Sequence, residues 1–279
     1  MQLAFSTNAY TRFDLARALQ GIRDAGFGAA EILADVPHAY PGTLNSALTY
    51  QIARLVERSG LKISNINANC SFGYFRDPPP EAFFEPSLIS PNSVRREDRI
   101  RMIGHCLELA RAVGALNISI TSGRMTGGVP PARAAELLKE GLLRVLEMAE
   151  RARVDVGIEC EPGLYIEYAS ELREWIDRLG HPRLGANLDV GHSQVLGESI
   201  PEAIALLKGR IWNLHVEDIP GRKHYHMIPG EGTMDWVALR NALQETGYAR
   251  SVTVELYTQT EDPDGAARKS HAYLGRLFE

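Results

Sequence analysis

Cysteine is scarce. Only Cys70, Cys106 and Cys160 occur in 279 residues, far apart and in no C-x-x-C spacing. This excludes a disulfide framework or a cysteine zinc site and predicts reduced, buried thiols. Basic runs are also missing: nothing exceeds Arg95-Arg96, and the net charge is −5. No nucleic-acid partner is therefore expected. Long apolar runs are absent, so no membrane span and no membrane partner are expected. The first residues, MQLAFSTNAY, show neither the basic region nor the cleavage-like site of a secretory leader, which makes a cytoplasmic address the default expectation.

Hydrophobic residues at 44% and charged residues at 23% suit a globular enzyme with a substantial core. Strand-like runs alternate with helix-like segments along the whole chain. LAFST is followed by LARALQGIRDAG and AAEIL, then by LTYQIARLVERSG and LKISNIN. The alternation continues through LNISIT, DVGIECEP, RLGANLDVGH, IWNLHVED and SVTVELY. The helical segments carry apolar residues three and four apart, as at Leu137, Leu138, Leu142, Val145 and Met148. Gly26, Gly60, Gly114, Gly180 and Gly247 stand where helices should stop. Strands separated by helices pair in parallel, and eight βα units predict an α/β fold, a single (β/α)₈ TIM barrel over residues 1–279. A doubly wound open sheet is the alternative.

Residues 70–92, CSFGYFRDPPPEAFFEPSLISPN, interrupt the rhythm with a long loop rich in proline and aromatics. Following strand three, it falls at the C-terminal rim where barrel active sites are built. Two readings stand: a lid carrying Phe72, Tyr74 and Phe75, or an insertion that packs its own aromatics.

Strand parity singles out four residues. In a barrel strand, side chains two apart share the interior and those between face the helices. Glu159 in VGIEC, Asp189 in GANLDVG, His215 in IWNLHV and Glu255 in VTVEL each take the inner face, between apolar residues on the outer one. Four consecutive strands thus point ionisable groups toward one barrel mouth. Three carboxylates so close in a low dielectric repel one another, and a divalent cation would neutralise them. Three carboxylates and one imidazole suit Mn²⁺ first, with Mg²⁺, Co²⁺ or Zn²⁺ as alternatives.

These motifs, GIECEP, NLDVGH, NLHVED followed by PGEGTMDW, and VTVELY, resemble the xylose isomerase-like barrel superfamily. It includes sugar-phosphate isomerases and epimerases, D-tagatose 3-epimerase, hydroxypyruvate isomerase, inosose and 3-dehydroshikimate dehydratases, and endonuclease IV. The resemblance spans nearly the whole chain. It implies that Glu159, Asp189, His215 and Glu255 bind the metal and that Glu159 and Glu255 double as the acid/base pair. It also implies a substrate contact for His192, three residues after Asp189, and dimers or tetramers as assembly states.

The expected chemistry is proton transfer on a small sugar, keto-sugar or polyol-derived substrate. A metal that chelates a carbonyl and a neighbouring hydroxyl acidifies the α-proton and stabilises the enediolate formed on its removal. Return of the proton to the opposite face epimerises, return to the next carbon isomerises, and loss of a β-hydroxyl dehydrates. The sequence leaves all three outcomes open.

Further candidates line the expected mouth. Glu161, His224, His226, Arg124 and Lys223 are expected substrate-side groups, each with a plain alternative as a solvated or second-metal residue. His38 follows strand two, and Asp218 is expected to orient His215 or a neighbouring loop. His105, His181 and His271 receive no role. The spacing His224-x-His226 before PGEG also resembles the third-metal ligands of endonuclease IV, with histidine in place of aspartate. That keeps a zinc-dependent hydrolase as an alternative, although the strand-three and strand-four ends, NINANCSFGYF and ITSGRMTGG, lack clear counterparts of its first-zinc histidines. A barrel that binds without catalysis is the third class.

Overall fold

The computed structural model describes residues 1–69, 72–77 and 84–278. Eight parallel strands close into a barrel: β1 Gln2–Ser6, β2 Ala29–Leu33, β3 Lys62–Asn67, β4 Asn117–Thr121, β5 Asp155–Glu159, β6 Leu184–Asp189, β7 Ile211–Val216 and β8 Ser251–Val254. β1 pairs with β8, so no edge remains. Helices α1 Leu15–Asp24, α2 Ser46–Ser59, α3 Ser93–Val113, α4 Pro131–Ala152 and α5 Ala169–Leu179 join the first six strands. α6 Val190–Leu196 and α7 Ile200–Leu206 together link β6 to β7, and α8 Trp236–Thr246 and α9 Pro263–Phe278 complete the ring.

The outer faces of the strands make the hydrophobic core. Phe5, Ile32, Ile66, Ile118, Ile120, Val156, Ile158, Leu188, Leu214, Val216, Val252 and Val254 are all fully buried against the helices. Burying each such side chain contributes about 1.5–3 kcal/mol. α4 presents Leu137, Leu138, Leu142 and Val145 to that core, the stripe expected from its spacing. Gly60 and Gly114 end α2 and α3 with φ of 71° and 75°, a left-handed turn that other residues adopt only at a cost.

The barrel interior is polar instead of aliphatic. Ser6, Glu31, Asn65, Asn67, Ser119, Asn187, Asn213 and Thr253 all point inward and are buried. They bond to one another: Asn117 Nδ2 donates to Asn65 Oδ1 at 2.7 Å and Asn65 Nδ2 to Ser119 Oγ at 2.8 Å. Asn213 Nδ2 donates to Asn187 Oδ1 at 2.8 Å, and Thr253 Oγ1 to Asn213 Oδ1 at 2.9 Å.

One detail departs from the expectations. The segment between β6 and β7 holds two helices, not one, because Asp189 caps a new helix: its Oδ1 accepts the backbone N–H of His192 at 2.9 Å. In the 70–92 loop, Tyr74 and Phe75 meet edge-on at 5.3 Å and the Tyr74 hydroxyl donates to Asp98 of α3 at 2.7 Å. Cys70 and residues 71 and 78–83, on which part of the lid reading rests, lie outside the described residues. Cys106 and Cys160 are buried, as expected. No helix among the described residues is long and apolar enough to cross a membrane.

Candidate active site

The four residues selected by parity converge. Glu159, Asp189, His215 and Glu255 are buried, and each offers a ligand atom within 4.8 Å of the others. The register explains the meeting: Glu159 pairs with Asn187 and Asp189 with His215, at the C-terminal ends of β5, β6 and β7. Glu255 lies one residue past β8 but keeps its place because its backbone N–H donates to Val216 O at 3.1 Å.

Each carboxylate is gripped from behind. Glu159 accepts from Asn187 Nδ2 at 2.7 Å and from Asn69 Nδ2 at 2.6 Å, and Glu255 accepts from Asn67 Nδ2 at 2.9 Å. Asp189 spends Oδ1 on the cap of α6, while its Oδ2 is buried with no hydrogen-bond partner. His215 is clamped between Glu31 Oε2 at Nε2, 2.6 Å, and Glu159 Oε1 at Nδ1, 2.8 Å.

The electrostatics show a site short of positive charge. Burial pushes the Glu255 carboxyl well above its ordinary range, and neighbouring Glu159 adds to the effect. Burial opposes the charge of His215, but Glu31, Glu255 and Glu159 outweigh it and keep the imidazole protonated far above its ordinary value. Asp189 is also penalised by burial, yet His192, His226 and His215 hold it well below the usual carboxylate range.

This group fits a divalent cation. The buried, unpartnered Asp189 Oδ2 points into it, and three carboxylates with one imidazole form a hard, mainly oxygen donor set. His192, His224 and His226 make a second cluster whose ligand atoms are equally close. His192 Nδ1 donates to Cys160 O and His226 Nδ1 to Glu255 O, at 2.9 and 2.8 Å, which fixes both rings with Nε2 turned into the cluster. His226 Nε2 lies 3.3 Å from His224 Nε2. Burial lowers the His226 pKa to about 3, while for His192 the carboxylates of Asp189, Glu161 and Glu159 overcome burial and raise it to about 9.

The other expected residues divide. Glu161 is buried, not on an exposed rim; burial raises its pKa to about 7, and it sits 3.7 Å from His192 Nε2. Arg124 is felt electrostatically by Glu161 and lies over the Phe84 ring at 5.8 Å. Lys223 is exposed on the loop after β7. Asp218 organises that loop: it accepts from the backbone N–H of Ile219, Gly230 and Met234 and from Trp236 Nε1, at 2.8–3.0 Å. His38 Nε2 donates to Phe13 O, 3.2 Å away, and His38 belongs to none of these clusters.

The expectation of one ionisable inner residue on each of four strands was too narrow. Glu31 on β2 and Glu217 after β7 are also buried here. Glu217 faces Asp189 with no donor on either oxygen, and burial pushes its carboxyl well above the ordinary range. Parity was the available signal: Glu217 stands two residues after His215, and Asn65, Asn67 and Asn69 alternate in SNINAN. A cavity of about 730 Å³ at the opposite end of the barrel is lined by Lys62, Asn117, Trp212 and Arg250. It contains none of these residues.

The chain is 22% identical over 177 residues to L-ribulose-5-phosphate 3-epimerase of Shigella flexneri, covering 63% of this chain and 62% of that protein. The match therefore spans less than two thirds of that relative's length. Its fold resembles that of a D-tagatose 3-epimerase-like protein, with a TM-score of 0.81 and 19% identity over 99% of this chain and 98% of that one. It also resembles the IolI protein solved with a zinc atom, with a TM-score of 0.77 and 18% identity over the full length of both. The family model described as xylose isomerase-like TIM barrel matches residues 19–277, and the chain belongs to that family.

Proposed function

We propose that this chain is a divalent-metal-dependent isomerase or epimerase of a small sugar, keto-sugar or polyol-derived substrate. One observation carries the reading: Glu159 and Glu255 enter the same four-residue group from strands on opposite sides of Asp189 and His215, each held by its own asparagine amide. The sugar epimerases among its relatives and fold neighbours support it.

Glu159, Asp189, His215 and Glu255 would hold the cation, Mn²⁺ first and Mg²⁺, Co²⁺ or Zn²⁺ alternatively. A bound divalent ion would offset the clustered negative charge and polarise a substrate carbonyl, acidifying the adjacent C–H. One carboxylate then removes that proton and the other returns one from the opposite face. The amides of Asn69 and Asn187 on Glu159 and of Asn67 on Glu255 keep the two oxygens aimed. His192 and His226, with Nδ1 committed to backbone carbonyls, present Nε2 toward substrate hydroxyls, and His224, Glu161, Arg124 and Lys223 complete the substrate side. The same frame serves a dehydratase when a β-hydroxyl leaves after proton removal.

The test is metal analysis of protein purified without chelator, followed by proton–deuterium exchange on a panel of ketoses and keto-polyols in D₂O. Exchange, with or without net conversion, supports enolisation. No bound metal and no exchange in Mn²⁺ would sink the proposal.

A zinc-dependent hydrolase is the second reading, favoured by the cluster of His192, His224 and His226. It requires more than one zinc per chain and a loss of zinc in His224→Ala. A His224→Ala protein with unchanged metal content and intact exchange would exclude it.

A further inference from the structure

Glu31 takes no part in the proton transfers above, yet it is bonded to His215. It lies inside β2, paired in register with Ser6 of β1 and Asn65 of β3, and is fully buried. Its Oε2 lies 2.6 Å from His215 Nε2 and accepts from Asn65 Nδ2 at 2.7 Å. Asn213 Nδ2 approaches the same oxygen at 3.5 Å. An ionised carboxylate has only acceptors, so the Nε2 of His215 carries hydrogen toward Glu31. The nitrogen left for other work is Nδ1. It lies 2.8 Å from Glu159 Oε1, 3.7 Å from Glu255 Oε1 and 3.9 Å from Asp189 Oδ2.

The imidazole therefore has one face committed to Glu31 and the other aimed at the three carboxylates. Glu31 reaches none of those carboxylates within hydrogen-bond distance and sits on the far side of the ring from them. Carboxylates that accept the distal N–H of a ligating histidine fix its tautomer and ring orientation, and losing them typically costs about 10–100-fold in metal affinity. We propose that Glu31 is a positioning residue for the metal centre: by accepting the Nε2 hydrogen of His215 it turns Nδ1 toward Glu159, Asp189 and Glu255 and sets the affinity for the cation. The inference rests on the reading of those four residues as the metal ligands.

The test is equilibrium titration of Mn²⁺ and Co²⁺ into metal-free wild type, Glu31→Gln and Glu31→Ala, with the visible spectrum of each Co²⁺ form recorded and folding checked by circular dichroism. Glu31→Ala is expected to bind about 10–100-fold more weakly and to shift the Co²⁺ bands. Glu31→Gln, whose amide oxygen still accepts from Nε2, is expected to lie between. A residue that only fills space would change thermal stability and leave affinity and spectrum alone. Wild-type affinity and an unchanged spectrum in the folded variants would overturn the inference by itself. Should Glu31→Ala fail to fold, the near-isosteric Glu31→Gln decides on the same criterion. Wild-type protein that binds neither ion would overturn this inference and the ligand reading together.

Discussion

Asn67 donates its side-chain amide to Glu255 Oε1 across 2.9 Å, from the end of β3 to a residue just past β8 on the far side of the barrel. Hydrogen bonds to charged groups are worth about 1.5–3 kcal/mol, which corresponds to roughly 10–100-fold in rate when the bond holds a catalytic group. Asn67→Ala is expected to slow proton exchange within that range while the metal content stays near wild type. Exchange at the wild-type rate would show that Glu255 needs no such support.

Removing charge from either proposed acid/base residue should be more severe. Glu159→Gln and Glu255→Gln keep shape but cannot accept a proton from carbon, so each is expected to abolish exchange. Losses of about 10²–10⁴-fold are typical for a general acid or base. Substantial exchange in either folded variant, read by NMR in D₂O, would defeat its assigned role.

Metal binding should release protons. Burial holds the Glu255 carboxyl, and its carboxylate neighbours hold the His215 imidazole, well above their ordinary pKa values. Groups with raised pKa values keep their protons at neutral pH and must give them up to ligate, so affinity should fall as the pH falls. Calorimetric titration in two buffers of different ionisation enthalpy counts the protons. A count of zero near pH 7 would contradict the electrostatic picture.

Asp218 offers a stability test away from the reacting groups. Its carboxylate satisfies three backbone N–H groups in the loop that carries His224 and His226, and Trp236 Nε1 at the start of α8. Asp218→Ala strands buried donors, each costing about 1–3 kcal/mol, so a loss of at least about 3 kcal/mol is expected in urea unfolding. A loss below about 1 kcal/mol would mean that water takes over the role.

The barrel and its four central residues were legible because strands impose a period of two, and an ionisable residue among outward-facing aliphatics stands out at Glu159, Asp189, His215 and Glu255. Glu31 was missed because AAEIL shows one carboxylate in an apolar run, which by itself reads as an ion pair at a barrel end. Its partner His215 lies 184 positions away, and no local pattern reveals a contact of that span. Glu217 shares parity with His215, but it stands beyond the strand, where alternation no longer guarantees direction. The asparagines of SNINAN were visible as a periodic face. Their meaning was not, because an amide inside a barrel gains its role from what it faces. The substrate side is less legible still, since its residues sit on loops whose path follows from Asp218 and the cap of α6.

The row from Thr253 through Asn213 and Asn187 to Glu159 has a direction, because each amide's orientation is dictated by the donor behind it. An Asn187→Asp change would turn a donor into an acceptor and set two negative charges face to face at Glu159. Strands β5 to β8 are thus tied into one heritable unit: an engineer who wishes to transplant this mouth to another barrel must carry its hidden amides along with its visible acids.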